Sequence, residues 1–280
     1  MNIIPYTFFG SADFSVFVLD EMKKAGMFPC AIVTTPDKPK GRKLVLSPNP
    51  VKTWAIENKI PFFETYQSAV EDARVKSSAV FVIAAYGKIL PQSVIDLPTH
   101  KTLNIHPSLL PKYRGASPLQ SAMLDDEKNT GVSIMRIDAQ MDHGPIVAQK
   151  QIVVTEWPVY EEFEEMMACE GGRLLAEILP QWVAGSISEK EQDHSAATYT
   201  KKIKKEDGEV HLDPSAPSAE QHSLFRKIQA YHAWPTVYYF VEKNGKKIRV
   251  KITKAVWKND RLTIEKIIPE GKAEMPFTNF

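Results

Sequence analysis

The sequence predicts an α/β fold with a mainly parallel sheet, followed by a smaller β-rich domain. Three observations predict it. The first half alternates short, continuously apolar runs with amphipathic stretches, the pattern of strands covered on both faces by crossover helices. The C-terminal stretch instead carries three successive strand-like runs. At 280 residues the chain has the length of roughly two domains.

Strands are predicted at 3–9, 30–35, 79–85 and 102–106, each too short and too apolar for an exposed helix. Helices are predicted at 14–25, at 51–58 and after Pro91. Two further strands, 131–137 and 145–154, flank a turn around AQMDHGP. Residues 159–182 read as one long helix, because Leu174, Leu175, Ile178, Leu179 and Trp182 recur at helical spacing. Gly171 and Gly172 are points where it could bend. The first domain is therefore expected at 1–184, a polar linker containing the KKIKK cluster at 185–205, and a small domain at 206–280. That last domain should hold a helix at 219–230 and strands at 236–241, 246–253 and 261–268.

Composition narrows the class. With 43% hydrophobic and 25% charged residues, the chain is neither disordered nor fibrous. No apolar run reaches a membrane span, and the N-terminus lacks a basic, cleavable leader, so a soluble, cytoplasmic protein is expected. Cys30 and Cys169 form no CxxC and are read as buried thiols, with no metal site expected. The net charge of +1 hides an asymmetry. From Ser195 onward there are 16 Lys/Arg against 10 Asp/Glu, net +6, and the preceding part is net −5. A basic tail on an acidic body suggests an anionic partner, nucleic acid first.

Four segments carry chemistry. In LNIHPSLLP, Asn104 and His106 have period-two spacing at a strand end broken by Pro107, so both side chains point to one side of a C-terminal strand mouth, where open α/β sheets bind ligands. An amide there can donate to a developing oxyanion and an imidazole can move a proton; a structural pair capping a loop is the alternative. In DAQMDHGPI, Asp142 reads either as a carboxylate meeting a partner or as an Asx-turn residue, and His143 as a solvent-facing loop residue. The stretch 35–52 concentrates Lys38, Lys40, Arg42 and Lys43 among prolines that forbid regular structure through its middle. It is a basic flap or a solvated loop. In KKIRVKIT, alternation puts Ile248, Val250 and Ile252 on one face and Lys247, Arg249 and Lys251 on the other, a basic stripe suited to phosphates or an ordinary solvated strand face. No GxSxG, Walker A, GxGxxG or HExxH pattern is present.

In this order, FFGSADFSVFVLDEM, TTPDKPKGRKLVLSPNPVK, VIAAYGKILP, LNIHPSLLPKYRGASPLQSAML, TGVSIMRIDAQMDHGPI, TYTKKI and AYHAWP resemble the methionyl-tRNA formyltransferase family over nearly the whole chain. The resemblance implies a Rossmann-like formyltransferase domain followed by a small OB-like β-barrel domain. It implies transfer of a formyl group from 10-formyltetrahydrofolate, without a metal, to the α-amino group of methionine on initiator tRNA, by an expected monomer. Carried over by motif, Asn104 holds the formyl oxygen, His106 stabilises the charge growing there, and Asp142 sets the state of His106. The folate pocket maps onto Tyr86, Gly87, Lys88, Ile89 and Leu90, onto Ser108, Leu109, Leu110 and Pro111, and onto the turn from Asp138 to Asp142, with backbone groups reading the pterin. Lys38, Lys40, Arg42 and Lys43 map onto a loop near the acceptor stem, Arg42 foremost, and Lys247, Arg249 and Lys251 onto a tRNA-binding barrel. The barrel region is short, since only VWKNDRL separates the strand ending near Ala255 from IEKIIPEGK. A sugar-nucleotide N-formyltransferase would share Asn104, His106, Asp142 and the folate. A tRNA-binding protein without catalysis is a rival of another class.

Overall fold

The computed structural model describes residues 4–40, 45–243 and 245–279. The strands are β1 (Tyr6–Phe9), β2 (Ala31–Val33), β3 (Lys38–Lys40), β4 (Val45–Ser47), β5 (Phe62–Phe63), β6 (Val80–Ile83), β7 (Thr102–His106) and β8 (Arg114–Gly115). They continue with β9 (Asn129–Arg136), β10 (Ile146–Val153), β11 (Tyr199–Thr200), β12 (Tyr238–Lys243), β13 (Lys246–Lys258), β14 (Arg261–Pro269) and β15 (Met275–Pro276). The longer helices are α1 (Asp13–Lys24) and α2 (Pro50–Glu57), then, after the single turns α3 (Tyr66–Ala69), α4 (Ala73–Lys76) and α5 (Gln92–Ile95), α6 (Pro118–Leu124), α7 (Tyr160–Val183) and α8 (Ser218–Ala230).

The chain divides into two compact units. The first comprises Met1–Arg114, Gly131–Ile152 and Glu164–Tyr199; the second comprises Gly115–Thr130, Val153–Phe163 and Thr200–Phe280.

The main sheet has seven strands in the order β10-β9-β7-β6-β1-β2-β5. Neighbours from β5 across to β7 are parallel, and β9 runs antiparallel to β7. Its centre is apolar on both faces: Phe8, Ile32, Val80, Phe81, Val82 and Leu103 are fully buried, as strands covered by helices require. At the first turn, the buried Ser15 hydroxyl accepts from the backbone N–H groups of Ser11 and Ala12 and donates to the Ala84 carbonyl. One side chain thereby satisfies orphan donors of α1 and ties that helix to the end of β6. Asn49 caps α2 by accepting from the Lys52 N–H at 3.0 Å, ahead of Pro50 at the first helical position.

The predicted strands and long helices recur with ends shifted by a few residues, and four local expectations are corrected. The helix expected after Pro91 is the single turn α5. The basic stretch was expected to lack regular structure, yet β3 and β4 pair antiparallel, Pro39 opposite Leu46. An isolated two-stranded ribbon has only edges, so Pro39, which has no N–H to donate, leaves no further neighbour unbonded. Gly171 and Gly172 do not interrupt α7. A Cβ at Gly171 would lie 2.7 Å from Ile105, and one at Gly172 would lie 3.0 Å from the Val18 carbonyl, so these glycines permit close packing. Cys30 and Cys169, expected buried, are half-exposed.

In the second unit the predicted small β domain is an antiparallel sheet in the order β12-β13-β14-β15. Val250, Ile252 and Ile267 are buried in it, as are Ile228 on α8 and the nearby Tyr231 and Val237. Among the described residues, no helix is long and apolar enough to cross a membrane.

Candidate active site

β7 sets the site. Leu103 and Ile105 point into the core, so period-two alternation places Asn104 and His106 together on the other side of the strand. The strand ends at Pro107, between β6 and β9. Asn104 is half-buried, and its side-chain amide has no hydrogen-bond partner among the described residues. His106 is 4% exposed. Its Nε2 lies 2.9 Å from the Tyr113 carbonyl, and because a carbonyl only accepts, Nε2 carries the hydrogen. Nδ1 faces the Asp142 carboxylate at 3.6 Å.

Asp142 reaches this place through an improbable turn. It has φ of 50°, a left-handed conformation that Asp tolerates better than most residues. Two residues on, a Cβ at Gly144 would fall 2.0 Å from the Arg136 carbonyl, so only glycine lets the chain re-enter β10 there. Asp138 opens the same turn by accepting from the Gln140 N–H at 2.9 Å and from His143 Nδ1 at 2.7 Å. His143, expected to face solvent, is instead stacked on His194, with ring centroids 4.0 Å apart and planes within 2°.

Gln192 escaped the sequence analysis because it sits in the stretch expected as a linker. It is 5% exposed. Its amide nitrogen donates to the carbonyls of Asp142 at 3.0 Å and Gly144 at 2.7 Å. Its oxygen accepts from the buried Arg114. The RG pair in KYRGASP was the available signal for Arg114; nothing local in EKEQDH marks Gln192.

Besides the turn opened by Asp138, the residues assigned to a folate pocket fall into two groups. After β6 the backbone turns through Ala85 (φ 48°) and Gly87 (φ 73°), leaving Gly87, Lys88 and Ile89 exposed while Tyr86 and Leu90 are buried in the core. Burial holds the Tyr86 hydroxyl above its ordinary pKa, and among the described residues it has no hydrogen-bond partner. Tyr86 therefore anchors the loop with its ring. Beyond β7, Ser108 to Pro111 are tied down by the chain itself. Ser133 Oγ donates to the Ser108 carbonyl and accepts from the Leu110 N–H, Gln149 donates to the Leu110 carbonyl, and the Pro111 carbonyl accepts from Thr198. Each of those carbonyls retains a second lone pair.

Of the basic residues, Arg42 and Lys43 lie outside the described residues, while Lys38 and Lys40 lie on the β3 strand. On β13, Lys247 is exposed and Arg249 and Lys251 are half-exposed, opposite the buried Val250 and Ile252. Lys247 Nζ stands 4.1 Å over the Phe240 ring, and Arg249 lies 5.5 Å from the Tyr238 ring centre.

An amide, an imidazole and a carboxylate at the carboxyl mouth of a mostly parallel sheet stand where α/β enzymes of this architecture bind their ligands. Residues 2–179 match the formyl transferase family model, and the chain belongs to the formyl transferase family. A curated relative from Sulfurihydrogenibium sp., a methionyl-tRNA formyltransferase, is 37% identical over 82% of this chain and 74% of its own length. Among solved structures, the methionyl-tRNA formyltransferase of Clostridium thermocellum shares the fold with a TM-score of 0.62 and 15% identity, over 95% of this chain and 98% of that one. An N-formyltransferase from Helicobacter canadensis, solved with folinic acid and dTDP-3-aminofucose, gives 0.65 at 17% identity, over 91% of this chain and 88% of that one.

Proposed function

We propose that this chain transfers a formyl group from 10-formyltetrahydrofolate to the α-amino group of methionine on initiator tRNA. The observation that carries the reading is the unpartnered Asn104 amide beside the His106–Asp142 pair. Attack of the amine on the formyl carbon forms a C–N bond, breaks the bond to the folate nitrogen, and moves one proton from the incoming to the departing nitrogen. Asn104 donates to the formyl oxygen as negative charge develops there. His106 accepts the amine proton at Nδ1, where Asp142 holds the resulting imidazolium, and returns it to the leaving nitrogen. The charge balances without a metal.

The residues at this mouth have the chemistry to hold a folate. The exposed backbone of Gly87 to Ile89, the second lone pairs of the Ser108 to Pro111 carbonyls, and Asp138 supply the polar edge a pterin needs. The tRNA contacts fall to Lys38, Lys40, Arg42 and Lys43 and to Lys247, Arg249 and Lys251, with residues 206–280 as the tRNA-binding domain. The net charge of +6 from Ser195 onward favours that acceptor over a sugar nucleotide. The deciding experiment is single-turnover formylation with 10-formyltetrahydrofolate, offering Met-tRNA and, separately, amino-sugar nucleotides. Formyl-Met-tRNA is expected; product from an amino sugar alone would overturn the acceptor assignment and keep the site. Binding of Met-tRNA without either product would leave the non-catalytic reading standing.

A further inference from the structure

We propose that Arg114 and Gln192 are positioning residues that hold the Asp142 turn against His106. The inference deepens the formyl-transfer reading above and rests on it. Arg114 is 1% exposed, and among the described residues no carboxylate pairs with it. Its guanidinium donates to Gln192 Oε1 from Nε at 3.2 Å and from Nη2 at 2.7 Å, to His194 Nδ1 at 2.9 Å, and to the Tyr199 hydroxyl at 3.2 Å. Burying a cation among neutral acceptors is unfavourable compared with pairing it. What the arrangement achieves is orientation, because Gln192, gripped through its oxygen, can point its nitrogen only one way.

That nitrogen bridges the Asp142 and Gly144 carbonyls, fixing the backbone on both sides of His143. His194, held by the same guanidinium, stacks on His143, which in turn binds Asp138. The segment containing Gln192 and His194 thus pins the whole Asp138-to-Gly144 turn. It also reaches the other half of the pair. Thr198 Oγ1 accepts from the Tyr113 N–H at 2.8 Å, and the Thr198 carbonyl accepts from the Arg114 N–H at 2.9 Å. The Tyr113 carbonyl is the group that orients His106. Both sides of the 3.6 Å His106–Asp142 approach therefore hang on one strap. Displacement of a reacting group by about 1 Å can cost about a hundredfold in rate.

The test compares three variants in the full chain: Gln192→Glu, Gln192→Leu and Thr198→Val. In Gln192→Glu the introduced carboxylate would still accept from Arg114 but could not donate to the two carbonyls, so the buried cation stays satisfied. Its melting temperature should stay within a few degrees of wild type while kcat falls at least tenfold and KM for 10-formyltetrahydrofolate changes less than threefold. Thr198→Val, at an exposed position, should fold normally and lower kcat about threefold with KM unchanged. Gln192→Leu should lose both stability and kcat. Wild-type kcat in Gln192→Glu, or loss appearing only in KM, would overturn the proposal. If Gln192→Glu fails to fold, the Thr198→Val kcat decides alone. A wild type inactive on Met-tRNA but active on an amino-sugar nucleotide would refute the acceptor assignment, and the same variant ratios measured on that acceptor would still judge the positioning role.

Discussion

His106 Nδ1 and Asp142 Oδ2 stand 3.6 Å apart, with the opposite ring nitrogen already committed to the Tyr113 carbonyl. The ring therefore has one nitrogen free to take a proton, and that nitrogen faces a carboxylate. Removing either partner breaks this arrangement without emptying the core. His106→Ala and Asp142→Asn are each expected to fold and to lose about 100- to 10,000-fold in kcat, the range for a positioned acid–base group. Steady-state formylation kinetics beside a circular-dichroism melt check this. Retained turnover in His106→Ala would sink the proton-transfer assignment.

Asn104 should behave differently. In the proposed mechanism it donates to developing charge, so Asn104→Ala is expected to lower kcat by about 100- to 1,000-fold while the affinity for folate, read by fluorescence quenching, stays near wild type. Equal losses in kcat and folate affinity would mean that the amide binds the ground state instead.

The turn carrying Asp142 depends on Gly144, where a Cβ would collide with the Arg136 carbonyl at 2.0 Å. Backbone cannot yield as a flexible side chain would. Gly144→Ala should lose at least about 2 kcal/mol of stability, the scale of an overpacking or backbone-strain substitution. Activity should be lost with it. Urea unfolding and formylation measured on one sample check both.

Acid sensitivity follows from Glu21, 6% exposed between Lys24 and Arg173. The hydrogen bond from Lys24, followed by the bond and charge of Arg173, outweighs burial and holds the Glu21 carboxyl below its ordinary value of 4.5. A carboxyl lowered in the folded state adds stability that is present above the unfolded value and lost as pH falls through the folded one. Glu21→Gln should therefore be less stable than wild type at pH 7 by about 1 kcal/mol, the upper worth of an ion pair whose cations, Lys24 and Arg173, are solvent-exposed. The gap should narrow as pH falls below 4.5 and through the lowered folded value. A gap independent of pH would assign the effect to packing.

The basic stripe makes a salt prediction. Reversing Lys247, the exposed member of the stripe, to Glu should weaken Met-tRNA binding and reduce the slope of log affinity against log salt by about one, as loss of a phosphate contact does. The single-turnover rate at saturating tRNA should be unchanged. An unaltered slope would remove β13 from the nucleic-acid surface.

Much of this molecule could be read along the chain. Short apolar runs between helical stretches define strands because a strand covered on both faces needs apolar residues at consecutive positions, as Phe8, Phe81 and Val82 show. Period-two spacing placed Asn104 and His106 on one side of β7, and alternation in KKIRVKIT separated Val250 and Ile252 from the lysines. These are local consequences of backbone geometry. Tertiary structure alone decided the rest. The bending role of Gly171 and Gly172 became close packing once α7 met Ile105 and Val18, and a proline-rich flap paired as β3 and β4. Gln192 became part of the site only because the fold carries it to a turn 50 residues earlier in the chain. The sequence by itself determined which side chains share one side of β7, since that depends on local period. What holds them at the necessary distance was decided by contacts between remote segments, which no window of sequence contains.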